Sequence, residues 1–176
     1  AGRVDLLAKE VNDMARNRIN ANGNYREIYD SITGEPEGGW ESNGQKMENS
    51  EHDQGWSATG FIKAIHYGVM GMRFEADGLS FAPSLPEGWE GANLAGVKYR
   101  SMILNIKLTG MGNRIRSFWL DGTVQAQPKI SSNLTGIHNI EISLNGGAGK
   151  TPAGVRVTNF MDRGYDIVYH LCCWRA

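Results

Sequence analysis

Acidic and aromatic side chains alternate between residues 25 and 56, and these are the side chains best suited to chemistry. The carboxylates of this stretch are Glu27, Asp30, Glu35, Glu37, Glu41, Glu48, Glu51 and Asp53. The aromatic residues among them are Tyr25, Tyr29, Trp40 and Trp56. The C–H face of a sugar ring stacks on an indole or a phenol, while its hydroxyl groups need strong hydrogen-bond acceptors. The pattern suits a sugar-binding site, and the alternative is a solvated acidic loop with aromatic residues tucked beneath it.

Two predicted helices flank this stretch and must position it. Val4, Leu7, Val11 and Met14 recur at helical spacing, which predicts an amphipathic helix with one apolar face. Residues 54–70 are apolar almost all round after a polar start, which predicts a helix buried on every side. A connection this long, rich in Gly, Asn, aromatic and acidic residues, is uncommon in a compact domain unless it lines a site.

After residue 71 the hydrophobic period changes from that of a helix to that of a strand. Met102, Leu104, Ile106 and Leu108 alternate with the residues between them, which is typical of a strand with one buried face. Further strands are predicted at 94–100, at 115–120 and around Ile137, Ile140, Ile142 and Leu144, with turns at 110–113 and at the hairpin signal Asp121-Gly122. Short, regularly spaced strands of this kind predict an antiparallel β-sandwich.

The composition excludes several classes of partner. The chain has 18 basic and 19 acidic residues, and no run of Lys or Arg forms a patch, so nucleic acid is not expected. A negative mean hydropathy and the lack of an 18-residue apolar run argue against a membrane span. His52, with Glu48, Glu51 and Asp53, matches no specific ligand spacing, so zinc is not expected and calcium only as a structural addition. No cofactor is expected. His66 is expected to be a core residue.

Three segments resemble the six-hairpin glycosidases, whose catalytic domain is an (α/α)6 barrel. The segment similar to one near the end of the barrel is Glu27-Ile28-Tyr29-Asp30-Ser31-Ile32-Thr33-Gly34-Glu35-Pro36. Residues 54–61 resemble the segment that opens the last barrel helix, and residues 71–73 with 77–89 resemble the exit from that helix into an all-β cap. The likeness covers roughly residues 1–145 and is greatest to glycoside hydrolase family 63 and the glycogen-debranching-like branch.

The resemblance implies an α+β chain, with the last helices of an (α/α)6 barrel followed by an antiparallel β-sandwich cap. We expect helical hairpins at 1–73, the β-sandwich at 74–145, and a linker with the start of a further β segment at 146–176. The chain would then be a piece of a longer protein, and a periplasmic or secreted location is favoured over the cytoplasm.

The resemblance assigns the general base of an inverting glycosidase to Glu27. Inverting hydrolysis needs one carboxyl group to protonate the leaving oxygen and a second, roughly 6.5–9.5 Å away, to activate water. The alternative for Glu27 is a structural carboxylate that caps a helix or forms a salt bridge, for example with Arg26 or Arg73. Ser31 stands where the family pattern usually has Pro, which loosens the expected turn without changing the acid.

The expected substrate is an α-linked glucoside or a related oligosaccharide. Its candidate binding residues are Tyr29, Trp40, Gln54 and Trp56. In the family the general acid comes from a loop much earlier in the barrel, so the expected partner is an upstream barrel segment that carries it. Nothing singles out Glu41, Glu48, Glu51 or Asp53 as the second carboxylate. The 176-residue chain alone is therefore expected to be inactive on glycosides.

Two other functions stay open on the sequence. One is a non-catalytic β-sandwich that binds carbohydrate or serves assembly. The other is a phosphorylase of the same superfamily, in which phosphate replaces the attacking water and no Glu base is needed. The presence of Glu27 counts against the phosphorylase.

Overall fold

The computed structural model describes residues 4–20, 24–36, 41–43, 45–46, 50–51, 53–86, 88–89, 91–146, 155–158 and 168–171. The chain divides into two compact units, Ala1–Ile65 and His66–Ala176. The first unit contains the helices and the second is built mainly of β-strands, so the chain is α+β as predicted. No helix in the described ranges is both long and apolar enough to cross a membrane.

The first unit begins with helix α1 (Val4–Asn20), in the place predicted by the helical spacing of its apolar residues. Val11 and Met14 are buried on one side of α1, whereas Lys9 and Arg16 are exposed on the other. A short hairpin, β1 (Glu41–Ser42) and β2 (Gln45–Lys46), follows the loop after α1. Helix α2 (Gly55–Lys63) then continues into a π-helical stretch, Ala64–Val69.

The prediction that the second helix is buried on every side is wrong. Phe61, Ile65 and Val69 recur every four residues and are at most 2% exposed, so one side is buried. Trp56 and Tyr67 on other sides of the helical segment are 63% and 42% exposed. Besides this segment, α1 is the only helix in the described part of the chain, so no ring of helices surrounds it. A barrel is therefore not present there.

The second unit is a sandwich of two sheets. Its strands are β3 (Met72–Phe74), β4 (Gly78–Phe81), β5 (Gly91–Tyr99), β6 (Met102–Thr109), β7 (Met111–Leu120), β8 (Thr123–Val124), β9 (Lys129–Ser131), β10 (Gly136–Gly146), β11 (Val155–Thr158) and β12 (Val168–Leu171). The larger sheet has the order β11-β12-β5-β6-β10-β7-β8, and the smaller one has the order β3-β4-β9. The two sheets meet through the Phe81 and Phe118 rings, 5.4 Å apart, and through the Tyr99 hydroxyl, which donates to the Gly78 carbonyl at 2.8 Å.

The alternating pattern correctly predicted the core of the sandwich. In β6, Met102, Leu104, Ile106 and Leu108 are at most 2% exposed, because successive side chains of a strand point to opposite faces. The predicted hairpin at Asp121-Gly122 is confirmed: it joins β7 and β8. Asp121 and Gly122 have φ values of 49° and 77°, as a tight two-residue hairpin turn requires.

The larger sheet is not purely antiparallel, which corrects the prediction. Strand β10 lies between β6 and β7 and pairs with β6 in parallel, from Gly136 opposite Met102 to Ser143 opposite Thr109. The chain returns through β8 and β9 to the end of the sheet where β6 starts, and the Gly136 amide donates to the Ser101 carbonyl at 3.0 Å. Strand β10 therefore enters beside β6 and runs in the same direction.

The predicted turn at 110–113 is shorter in the structure: the chain reverses direction between β6 and β7, but only Gly110 lies outside the strands. Because β10 separates β6 from β7, the chain cannot close a tight hairpin there, and it reverses direction near Gly110 and Gly112, whose φ values are 84° and 88°. Gly112 instead pairs with Leu85 through two backbone hydrogen bonds of 2.8 and 2.9 Å.

The end of the chain adds strands to the same larger sheet. Strand β12 pairs with β5, and β11 pairs with β12, both antiparallel. These two strands fall in the stretch 146–176, for which a linker and the start of a further β segment were predicted. The division of the chain after Ile65 lies ahead of the predicted boundary between residues 73 and 74.

Candidate functional site

The backbone around Glu27 runs alongside the chain that leads into α2. The Gln54 amide donates to the Tyr25 carbonyl at 3.0 Å, and the Glu27 amide donates to the Glu51 carbonyl at 2.9 Å. The Ser57 hydroxyl, in the first turn of α2, donates to the Glu27 carbonyl at 3.4 Å. The main chain of Glu27 is therefore held on both sides, at its N–H and at its C=O.

A buried serine strengthens this pairing. The Ser50 side chain is 2% exposed; its Oγ accepts from the Ile28 amide at 2.7 Å and donates to the Ile28 carbonyl at 2.8 Å. The Ser50 carbonyl in turn accepts from Nη1 of Arg26 at 3.1 Å. Sequence reasoning missed Ser50 and Ser57, because nothing in the local pattern distinguishes them from other loop serines.

The loop after Glu27 closes on itself through Asp30. Its Oδ1 accepts from the amides of Ile32 and Thr33 at 2.8 and 2.6 Å and from the Thr33 hydroxyl at 3.0 Å. These hydrogen bonds, led by that from the Thr33 amide, hold the pKa of Asp30 below its usual value. The turn therefore forms with Ser31 in place of the usual Pro, because Asp30 supplies the constraint.

Helix α1 supports the far side of this turn. The Arg16 guanidinium donates to the Thr33 carbonyl at 3.2 Å and pairs with Glu35, also at 3.2 Å. The buried Asn17 side chain donates from its Nδ2 to the Gly34 carbonyl. Gly34 has a φ of 75° and lies so close to Asp13 that a Cβ atom there would collide with the Asp13 carboxyl group. The turn is thus fixed against one face of α1.

Among the residues that the structure describes, the Glu27 carboxylate has no partner. Glu27 is half-buried, and its side chain makes no hydrogen bond or ion pair with any other residue of the described ranges. Arg26, one of the salt-bridge partners considered above, donates to Ser50 instead, and Arg73 donates to the carbonyls of Tyr67 and Met72. The buried Arg26 Nε likewise finds no hydrogen-bond partner within the described residues. The Glu27 backbone is thus hydrogen-bonded, while its carboxylate makes no bond to a described residue.

The other predicted site residues have different positions. The Tyr29 hydroxyl accepts from the Arg26 amide at 2.7 Å, and partial burial raises the pKa of Tyr29. Gln54 occupies the N-cap position of α2, yet its side chain makes no capping hydrogen bond. Trp56 is 63% exposed in the first turn of α2. Trp40 lies outside the described residues.

Among the described residues, no other acidic residue is singled out as the second carboxylate. Glu51 and Asp53 are exposed, and Glu48 and His52 lie outside the described residues. Within the described ranges, no group of three or more His, Cys, Asp and Glu side chains is placed to hold a metal ion. His66 is largely buried in the π-helical stretch, and burial lowers its pKa.

One comparison with known proteins bears on this chain. Residues 72–125 match the family model described as Glycosyl hydrolase family 65, C-terminal domain. The matched stretch runs from the start of β3 to the residue after β8, which is less than half of the chain and does not include the Glu27 loop. No curated protein matches the sequence. The match does not support family 63 or the debranching-like branch in particular. Over residues 72–125, this chain is similar to the C-terminal domain of a glycosyl hydrolase family.

Proposed function

We propose that this chain is the C-terminal part of an inverting glycoside hydrolase and supplies its general base, Glu27. The observation that carries the proposal is the Glu27 loop, whose backbone is held at the Glu27 N–H and at both backbone groups of Ile28, while the Glu27 carboxylate has no partner among the described residues. A catalytic group needs such fixed geometry and no competing partner. The similarity of residues 72–125 to a glycosyl hydrolase C-terminal domain supports the same class of enzyme.

In the proposed reaction the Glu27 carboxylate takes a proton from a water molecule. The water oxygen forms a bond to the anomeric carbon while the bond from that carbon to the leaving oxygen breaks on the opposite face. A general acid protonates the leaving oxygen as that bond breaks, and the two carboxyl groups stand roughly 6.5–9.5 Å apart. We propose that an upstream (α/α)6-barrel segment of a longer protein, called the parent below, supplies this acid.

The substrate proposed is an α-linked glucoside or a related oligosaccharide. Trp56 presents an indole face at the start of α2, where it can stack on a sugar ring. Gln54, two residues before Trp56, makes no capping hydrogen bond with its side chain, and Tyr29 lies in the Glu27 loop itself. Trp40 completes the proposed set on the basis of the family resemblance alone.

The finer family assignment rests on different parts of the chain. The resemblance of residues 27–36 and 54–61 favours family 63 and the debranching-like branch, whereas the match over residues 72–125 is to family 65. We therefore propose a six-hairpin glycosidase as the parent and family 63 as one branch to test. Substrate profiling of the parent separates these branches.

The test is Glu27→Gln in the parent, assayed against a panel of α-linked glucosides. We expect turnover to fall by roughly 10²–10⁴-fold, the usual contribution of general acid–base catalysis, while substrate binding is retained. Glu51→Gln is the matched control, because Glu51 is exposed and contacts Glu27 only through its carbonyl. Unchanged turnover in the Glu27 variant would remove Glu27 from the chemistry.

The same assay distinguishes the two alternatives. Turnover that requires inorganic phosphate and survives Glu27→Gln indicates a phosphorylase. Sugar binding without turnover, in the parent as well as in the variant, indicates a non-catalytic module.

A further inference from the structure

The larger sheet turns one face toward the smaller sheet and the other, called here the outer face, away from it. The pairing register places one row of outer-face residues side by side on four neighbouring strands. In order from β7 through β10 and β6 to β5, this row is Trp119, Glu141, Lys107 and Asn93. The next row along β6 and β10 contains Asn105 and Asn139. An indole, three carboxamides and two opposite charges therefore lie together.

Trp119 presents its indole to solvent. It is 40% exposed, whereas its neighbour Phe118, on the opposite face of β7, is 2% exposed. Trp119 makes no ring contact with any residue of the described ranges. A large aromatic ring on a rigid strand, free of intramolecular stacking, offers a flat apolar surface to a ligand.

Two of these carboxamides, those of Asn105 and Asn139, form a fixed polar group next to the row that contains Trp119. The Asn105 Nδ2 donates to the Asn139 Oδ1 at 3.1 Å, and the Asn105 Oδ1 accepts from the Gly96 amide at 3.1 Å. Asn139 is exposed, and its own Nδ2 has no partner among the residues that the structure describes. The Asn105 side chain is therefore held in a defined orientation, and the Asn139 Nδ2 remains available as a donor.

The charges of the row select the class of ligand. Lys107 and Glu141 lie opposite each other in register, are exposed, and make no ion pair with any described residue. Because their charges cancel, the row favours a neutral ligand over a polyanion. A protein partner is disfavoured, because Lys107 and Glu141 would lie at the core of the interface, where charged residues are depleted. Both charged heads are nevertheless strong hydrogen-bonding groups for hydroxyls.

We propose that the outer face binds a neutral oligosaccharide across Trp119, Glu141, Lys107 and Asn93. The Trp119 indole stacks on the C–H face of one sugar ring, and the amides and charged groups bond to hydroxyls of that sugar and its neighbours. Three strand spacings of about 4.8 Å give the row a length of roughly 14 Å. This site involves no residue of the Glu27 loop, so the proposal does not rest on the proposed catalytic function.

The test is a binding titration of the 176-residue chain with neutral hexasaccharides of glucose, xylose and mannose, and with a sulfated heparin hexasaccharide. Calorimetry measures affinity, and ¹⁵N-resolved NMR locates the site through the Trp119 indole and the Asn105 and Asn139 side-chain amides. We expect at least one neutral hexasaccharide to shift these signals. Trp119→Ala should weaken its binding by about tenfold or more.

The matched control is Ile137→Ala. Ile137 is 66% exposed on the same outer face but belongs to a different row, so its removal should leave the affinity unchanged. Thermal melts verify that both variants fold, and Glu141→Gln provides a second variant of the row that retains its shape. Three results overturn the proposal: no binding of any neutral hexasaccharide, binding only of the sulfated one, or binding that survives Trp119→Ala.

Discussion

The Ser57 hydroxyl donates to the backbone carbonyl of Glu27 at 3.4 Å, which ties the first turn of α2 to the proposed general base. This bond is long, and by itself it holds the loop weakly. The shorter bonds come from Ser50, whose buried hydroxyl joins both backbone groups of Ile28. The loop is thus positioned mainly by Ser50, Glu51 and Gln54, which precede α2, with the helix completing the arrangement.

Ser50→Ala should therefore destabilise the first unit more than Ser57→Ala. Removal of the buried Ser50 Oγ deletes both of its hydrogen bonds to the part-buried Ile28 backbone, which costs about 1–3 kcal/mol. Ser57→Ala, which removes only the 3.4 Å bond, should cost less than about 1 kcal/mol. Urea unfolding measures both variants, and equal stabilities of the two would contradict the ranking.

Gly34→Ala should be among the most damaging small substitutions in the loop. A left-handed φ costs an L-residue about 1–2 kcal/mol, and the collision with Asp13 brings the total to about 2–5 kcal/mol. Gly122→Ala is the control, because Gly122 has a φ of 77° but open space around it. The Gly122→Ala variant should therefore lose only the stability that the left-handed φ costs. A Gly34 variant no less stable than the Gly122 variant would argue against the close packing of the turn on α1.

Protonation of Asp121 should make the sandwich less stable in acid. The Asp121 carboxylate accepts from the backbone N–H of Asn139 at 2.8 Å and contacts His138 Nδ1 at 2.6 Å. Both contacts lower the pKa of Asp121, and the bond from Asn139 has the larger effect. A carboxyl group with a lowered pKa in the folded state stabilises the protein above its unfolded pKa of about 3.9. That contribution is lost as the pH falls through the lower, folded value.

The measurement is the free energy of unfolding of the wild type and of Asp121→Asn between pH 6 and pH 2.5. The difference between the two proteins should be largest near pH 6 and should shrink below about pH 4. A difference that stays constant over this range would show that the carboxylate is not the group responsible.

The 176-residue chain should not hydrolyse glycosides on its own. Glu51 and Asp53, the described neighbours on the chain leading into α2, are exposed, and the proposed general acid belongs to the upstream barrel segment. Purified chain incubated with α-linked glucosides should release no reducing sugar above a buffer blank, with the parent as the positive control. Hydrolysis by the isolated chain, abolished by Glu27→Gln, would show that both carboxylates lie within these residues.

Features that depend on residues near each other in the chain were predictable. The alternation in β6 and the Asp121-Gly122 hairpin follow from the two-residue period of a strand and from the positive φ that such a turn requires. The helical spacing from Val4 to Met14 likewise predicted α1. In each case a few consecutive residues determine the local backbone.

The sequence by itself determined the class of the fold, the alternating core of the sandwich and Glu27 as the acidic residue to test. Only the tertiary structure decided the parallel pairing of β6 with β10, the exposure of one side of α2, and the role of Ser50 in holding the Glu27 loop. These features depend on which distant segments meet. Because each distant pairing competes with many alternatives that the local pattern satisfies equally well, packing of the whole unit selects among them.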